Sequence, residues 1–402
     1  MKKDKKLIIA ITSGISFLDI FYSLFFNIYI LQNVTSSIVQ LLSYYAIAII
    51  IAILMVLPFF KILNKRSSIW IYRSSFLLSF IITLLTMFIS ARFAYALILI
   101  NSLRYVYNLC FYTPNEIASI HNTDNSNVNQ FLAIKRICSV AVNVAFSLLV
   151  SYLFEHFNAI ILFAIMLVDV LGMFLLSFFI SELGVESSFR PLEYLKQAKS
   201  TPHMNSVYLT HFFKRISESG VVNTLIPIMI FMKLGNSFSL GILSSVASVL
   251  MILALTIFTK LYQHRHNVII IGDIVNIICS ILLIIFTNKI IYIIYFFTNK
   301  IVTTLISNAQ CSTLFAAIQN NQLNIYKKEH IFCYTLIGLS AELISYITGI
   351  LLCSLISLEI AIPIIITTFM FMQFMCTIFI KQADKHMSRL SKINQQTTST
   401  DH

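Results

Sequence analysis

Three charged residues sit where apolar runs leave them no water. Asp19 lies in the run 7–31, Arg104 in 93–114 and Asp169 in 158–181. A charge at the centre of a bilayer costs roughly 2.5–3.5 kcal/mol on the insertion scale, so each must face an interior or carry function. Asp19 is about 18 Å into its run at 1.5 Å per residue. Arg104 and Asp169 reach similar depths. A carboxylate set between an apolar surrounding, which favours the neutral acid, and a guanidinium, which favours the anion, can take up and release a proton. Asp19 with Arg104 fits that chemistry. The same two residues also suit a static pair that fixes helix packing.

The second half of the chain holds a matching set: Lys214, Arg215, Glu218 and Lys300. Lys214 and Glu218 are spaced i, i+4 and share a helix face. If that helix starts near Ile216 instead, Lys214 and Arg215 are only its flank. Asp273 and Glu342 suit either packing or a cavity. Polar and aromatic side chains that can line a cavity are Tyr22, Asn27, Tyr105 and Asn108 in the first half, with Asn223 and Asn308 in the second.

These residues need elements to hold them in lipid. The chain has 402 residues, 58% hydrophobic and 11% charged. Soluble domains carry about 25% charged residues. The apolar runs repeatedly reach the ~20 residues that a helix needs to cross the hydrocarbon core. Continuous apolar stretches such as 41–60 lack the alternation of a membrane barrel. Twelve helices are expected, near 7–31, 37–60, 68–90, 93–114, 129–153, 158–181, 206–232, 238–259, 267–287, 290–312, 331–355 and 358–380. The longest polar interruption, 181–205, divides them six and six. The expected organisation is a six-helix bundle over 1–181, a central loop over 182–205, a second bundle over 206–380 and a tail over 381–402. The first run is too long for a signal h-region and reads as a retained helix.

Of the 28 Lys and Arg, 21 fall in the termini and even-numbered loops, three in the opposite loops and four within helices. By the positive-inside rule both termini are cytoplasmic, in a multi-pass protein of the cell membrane. The net charge of +12 is therefore topological, and nucleic acid is not an expected partner.

The halves echo each other. Phe60, Lys61 and Arg66 close helix two, while Phe258, Lys260 and Arg265 close helix eight. The Lys-x4-Arg patterns lie 199 residues apart, and the same offset takes Asp19 to Glu218. Parallel repeats about an axis along the membrane normal are the organisation of major facilitator halves.

On these residues the chain resembles the major facilitator superfamily. Its first half is similar to the macrolide-efflux branch of drug:proton antiporters. The resemblance rests on Ser16 to Asp19 in helix one and on the Asn33 to Ser37 turn. It rests also on Arg104 with Phe111 to Pro114 in helix four, and on Val168 to Phe174 in helix six. It implies an all-α fold of two six-helix bundles with pseudo-twofold symmetry, alternating access, and proton-coupled export of an amphipathic drug or macrolide-like molecule. From their depth and the 199-residue offset, Asp19, Arg104 and Glu218 are the expected proton-coupling residues, and Asp169, Lys214, Lys300 and Glu342 the expected cavity charges. The resemblance also implies gating by the cytoplasmic loops at Lys61, Arg66, Lys260 and Arg265. The 2–3 loop departs from the superfamily pattern, keeping basic residues and losing its Gly and Asp.

The sequence has no phosphate-cradling GxxxxGK[ST] loop. Its seven cysteines form no CxxC pair, and no His or Cys cluster has metal spacing. The expectation is a non-enzyme without cofactor, driven by the proton gradient. Its partners would be the bilayer, protons and a small-molecule substrate, and the chain would be a monomer. A nutrient importer or uniporter of the same fold is a second reading. A non-transporting sensor or immunity-type protein on this fold, suggested by the eroded 2–3 loop and only nine glycines, is a third.

Overall fold

The computed structural model describes residues 3–400, apart from 65, 122–127, 158, 181–182, 184–187, 219, 262–263, 287 and 320–324. Lys65 and parts of the 4–5 and central loops thus lie outside the described residues. Helices one to six are Lys6–Asn33, Ile38–Ile62, Ser67–Phe88, Ala96–His121, Val128–His156 and Ala159–Ser177. Helix seven comes in two pieces, Pro202–Glu218 and Val221–Leu234. Helices eight to twelve are Ser237–Lys260, Arg265–Ile285, Lys289–Gln319, Lys327–Leu355 and Leu358–Thr400. Among the described residues, eleven of these are long and apolar enough to span a membrane. Helix four has the length, 26 residues, but carries Asn101, Arg104, Asn108, Asn115 and Glu116.

Ends depart from expectation where polar residues find protein partners. Helix seven begins at Pro202, not near 206 or 216, and buries His203, Ser206, Thr210 and His211 inside the bundle. Lys214 and Arg215 are therefore well inside a helix. Helix twelve runs through the expected tail, because no Gly or Pro follows Pro363 to stop it. The expected central loop contains a helix, Pro191–Ser200. Pro191 starts it, Glu193 and Lys199 suit its two ends, and Tyr194 and Ala198, four apart, are its buried stripe.

Pairing of helices displays the internal symmetry. In the first half, helix three packs on four and six, two on four, and one on five. Adding six to each number gives nine on ten and twelve, eight on ten, and seven on eleven, all of which are present. The halves meet along two seams, two with eleven and five with eight, which the same operation exchanges. Side chains such as Leu54, Val168, Leu175, Ile271 and Leu351 point outward as the lipid-facing surface.

Close approach at the seams depends on a few small residues. A Cβ on Gly241 of helix eight would collide with the Ser151 hydroxyl and stand 2.9 Å from the Ser147 carbonyl of helix five. Beside it Ser245 donates to the Val144 carbonyl at 2.8 Å, and the Ser147 and Ser244 hydroxyls lie 3.2 Å apart. Gly349 of helix eleven would place a Cβ 3.4 Å from Leu42 of helix two, and 2.5 Å from Val221 within its own half. By contrast, a Cβ on Gly172 meets nothing within 4 Å. Gly241→Val is expected to cost about 1–3 kcal/mol by overpacking, and Gly172→Val almost nothing. Melting temperatures of the two variants in detergent check this; equal values would show that the five–eight seam does not need the glycine.

Candidate functional site: a cavity between the halves

Helix one is distorted just beyond its acid. Asp19 ends a short α-helical piece, Ser16–Ile20, and a π-helical turn, Phe21–Phe25, follows before the helix resumes. Such turns recur at functional sites. Asp19 is half-buried, and its Oδ2 accepts a 2.9 Å hydrogen bond from the Tyr112 hydroxyl of helix four. Arg104 is held elsewhere. Its guanidinium lies 4.3 Å from the Tyr22 ring centroid and 5.0 Å from that of Phe26. It donates to the Tyr45 hydroxyl at 3.3 Å and to Asn101 at 3.5 Å. Tyr45 in turn donates to Asn27 at 2.8 Å. The expected Asp19–Arg104 contact is thus replaced by two separately held charges, the guanidinium resting on aromatic faces that its weak hydration tolerates.

Helix seven is broken at the matching place. Glu218 ends its first piece, and Gly220 has φ 60° and ψ −126°, which side-chain-bearing residues avoid. The 199-residue offset that pairs Asp19 with Glu218 also pairs the π turn's Phe21 with Gly220. Both halves therefore interrupt their first helix just after the acid. The break is filled from helix eleven: a Cβ on Gly220 would strike the Ser345 hydroxyl and lie 3.0 Å from Glu342 Cγ.

Between the two breaks lies a cavity of about 550 Å³, walled by helices one, two and four on one side and seven and eleven on the other. Of the charged residues expected there, Asp19, Arg104 and Glu342 line it. Of the polar ones, Tyr22, Asn27, Tyr105, Asn108 and Asn223 do so. Glu342 accepts a 2.8 Å hydrogen bond from the Tyr105 hydroxyl, across the halves.

Other expected site residues are outside this lining. Lys214 donates to Ser307 of helix ten at 2.9 Å and lies 3.8 Å from Glu218, so both point into helix packing. Lys300 lies 5.8 Å from the Phe296 ring centroid on its own helix. Asp169, on helix six, is half-buried, with one buried carboxylate oxygen lacking a hydrogen bond. Asn308 is half-buried on helix ten. Asp273 is buried behind the cavity, accepting from Gln373 at 3.0 Å and Thr377 at 2.5 Å.

Residues not anticipated complete the walls, Tyr45, Tyr112, Glu116, Tyr334 and Tyr346, together with Arg215, for which the sequence left cavity and helix flank open. A signal for most of them was available. Asn108, Tyr112 and Glu116 step by four along helix four, and Tyr334, Gly338, Glu342 and Tyr346 do the same along helix eleven. Stripes of that spacing share one face.

The face bearing the termini is closed by contacts beside the expected gating residues. Lys61, Arg66 and Lys260 are exposed. Arg265 pairs with Asp384 of helix twelve, with Thr313 donating to the same carboxylate at 3.0 Å. Instead, three consecutive buried residues at the start of helix eleven reach across to helix two and to the segment Arg190–Tyr194 that links the halves. Lys328 donates to the Leu63 carbonyl at the end of helix two. Glu329 accepts from the Arg190 backbone N–H at 2.5 Å, and His330 Nδ1 lies 2.6 Å from the Tyr194 hydroxyl, which also bonds Tyr208. Phe60, Phe189 and Phe332 pack beneath, with centroids 5.3–6.1 Å apart. The contact forms here because exposed basic side chains stay hydrated, while Lys328 can reach a carbonyl that helix two leaves unpaired.

The sequence matches no protein-family profile and no curated protein. Its structure is similar to those of solved transporters, and the fold is the major facilitator fold. A bacterial homologue of the iron transporter ferroportin, in an outward-facing state, aligns with TM-score 0.67 and 12% identity over 96% of this chain and all of that one. The same homologue soaked with iron aligns with TM-score 0.64 and 13% identity, again over 96% of this chain and all of that one. The nucleoside transporter NupG aligns with TM-score 0.63 and 13% identity, over 94% of this chain and 99% of that one.

Lys328→Met is expected to leave the Leu63 carbonyl buried without a donor, at about 1–3 kcal/mol. A lowered melting temperature together with faster proteolysis near Arg190 is the expected readout; an unchanged protein would remove Lys328 from the closure of the face bearing the termini.

Proposed function

We propose that this chain is a secondary active transporter that exports an amphipathic small molecule in exchange for protons by alternating access. The observation that carries the reading is the cavity between the halves, with Asp19 at the helix-one distortion and within reach of solute. Tyrosine faces and asparagine amides around it suit a ligand that is apolar in body and polar at its edges. Asp19 is the coupling carboxylate. Arg104 sets the field around it without neutralising it by direct contact. Glu218, its counterpart, works through Lys214 and the helix-seven break. The drug or macrolide-like character of the substrate comes from the resemblance of the first half to that efflux branch. The termini are proposed to be cytoplasmic and the membrane to be the cell membrane, from the bias of basic residues.

Import or uniport of a nutrient or metabolite is the second reading. Its specific support is that a nucleoside transporter shares the fold over nearly the whole chain. Rocking of the halves serves either direction.

Transport into and out of proteoliposomes under an imposed pH gradient separates the two. Counterflow of a panel compound against protons, lost at least about tenfold in Asp19→Asn, is the expected result. Downhill flux indifferent to the gradient would sink the antiport reading and leave the uniporter.

A further inference from the structure

Helix eleven presents one face to both halves at once. On that face Glu342, Ser345 and Tyr346 fill the gap left by Gly220 in helix seven, within their own half. The same face then crosses the cavity. Glu342 takes the Tyr105 hydroxyl of helix four at 2.8 Å. Tyr346, one turn on, lies flat on Tyr45 of helix two, with centroids 5.3 Å apart and planes 6° from parallel. Its hydroxyl is 3.2 Å from that of Thr224, so the ring is held on the helix-seven side too.

We propose that the Tyr105–Glu342 hydrogen bond is the latch of the transport cycle: it holds helices four and eleven together across the cavity while Glu342 is ionised, and protonation of Glu342 releases them. The proposal rests on the transporter reading above and adds a second proton-responsive carboxylate, distinct from Asp19, whose task is to tie the halves together. A hydroxyl bonded to a carboxylate is about twice as strong as one bonded to a neutral acceptor, so the bond strength follows the charge. The groups that face Glu342 are Arg104 and Tyr105 from helix four, Arg215 from helix seven, Tyr45 from helix two and Tyr346 from its own helix. Arg104 and Arg215 thus bring positive charge to either side of a carboxylate that is 9% exposed. Two further titratable groups stand near this face: His211 of helix seven, stacked on Tyr334 with centroids 3.2 Å apart, and Glu116 of helix four in the cavity wall. The flat Tyr45–Tyr346 stack can slide once the neighbouring hydrogen bond is gone, because stacked rings lack the directionality of a hydrogen bond.

Single-molecule energy transfer tests this on the full chain in liposomes, without substrate. Fluorophores are carried by unnatural amino acids at the exposed positions Ile62 and Ile257, one in each half. The wild type is expected to change its ratio of near to far populations about tenfold between pH 8 and pH 5.5, the size expected for loss of one charge-assisted bond. Glu342→Gln should show the low-pH distribution at both pH values. Tyr105→Phe, which keeps the carboxylate and removes the donor, should do the same. Asp19→Asn should keep the pH response even where proton-driven transport is lost, so failure of the export reading and failure of the latch are told apart. A Glu342→Gln protein with the wild-type response to pH would overturn the proposal. So would a Tyr105→Phe protein that still switches.

Discussion

The break in helix seven at Gly220 and the helix-eleven face that fills it form the joint on which the rest of the structure hangs. Without a side chain at Gly220, helix eleven can press Glu342, Ser345 and Tyr346 into the axis of helix seven. That depth of packing sets the position of Glu342 and Tyr346, and hence where the second half touches Tyr105 and Tyr45 of the first. The walls of the cavity follow from those two contacts. Within a bilayer no water stands ready to satisfy a freed amide or carbonyl, so a helix can be interrupted only where protein or a cavity surrounds the break. Both interruptions in this chain obey that rule, and both sit at the cavity.

Asp19, Arg104 and Glu342 are each held by aromatic or hydroxyl groups rather than by one another. Asp19 has a tyrosine hydroxyl, Arg104 has aromatic faces and a second tyrosine, and Glu342 has a third. A buried ion pair would trade strong desolvation for strong attraction and resist change. Charges capped by neutral hydroxyls keep their response to a proton or a ligand. Where the protein does need rigidity it uses ion pairs and backbone acceptors, as at Arg265 with Asp384 and Lys328 with Leu63, both at the face bearing the termini.

Symmetry and its failure are equally informative. The exchange of seams two–eleven and five–eight under the addition of six relates the halves as rigid bundles. Yet the two seams differ in chemistry. The five–eight seam is tied by serine hydroxyls and Gly241, whereas the two–eleven seam carries stacked aromatic rings and the buried Lys328. The helix distortions also differ: a π turn keeps helix one continuous, while Gly220 cuts helix seven. The two halves share a plan but not a mechanism, and the sharper break belongs to the half that supplies Glu342.

The sequence by itself determined the membrane class, the twelve runs and their division six and six. It did so because hydropathy and basic-residue bias depend on side-chain type alone, whatever the packing. It also located Asp19, Arg104 and Glu342, since a charge in an apolar run is conspicuous and must face inward. It marked the corresponding acids through the 199-residue offset. Only the tertiary structure decided partners and boundaries. Helix seven starts at Pro202 because its buried histidines meet groups of helix ten, which hydropathy counts as polar and rejects. Lys214 turns to Ser307, and Arg215, next to it, lines the cavity, a choice of about 100° around one helix that spacing alone does not settle. The contacts of Lys328, Glu329 and His330 join residues more than 100 positions apart in the chain. Such contacts depend on which helices come to lie side by side, and that is fixed by packing across the whole bundle.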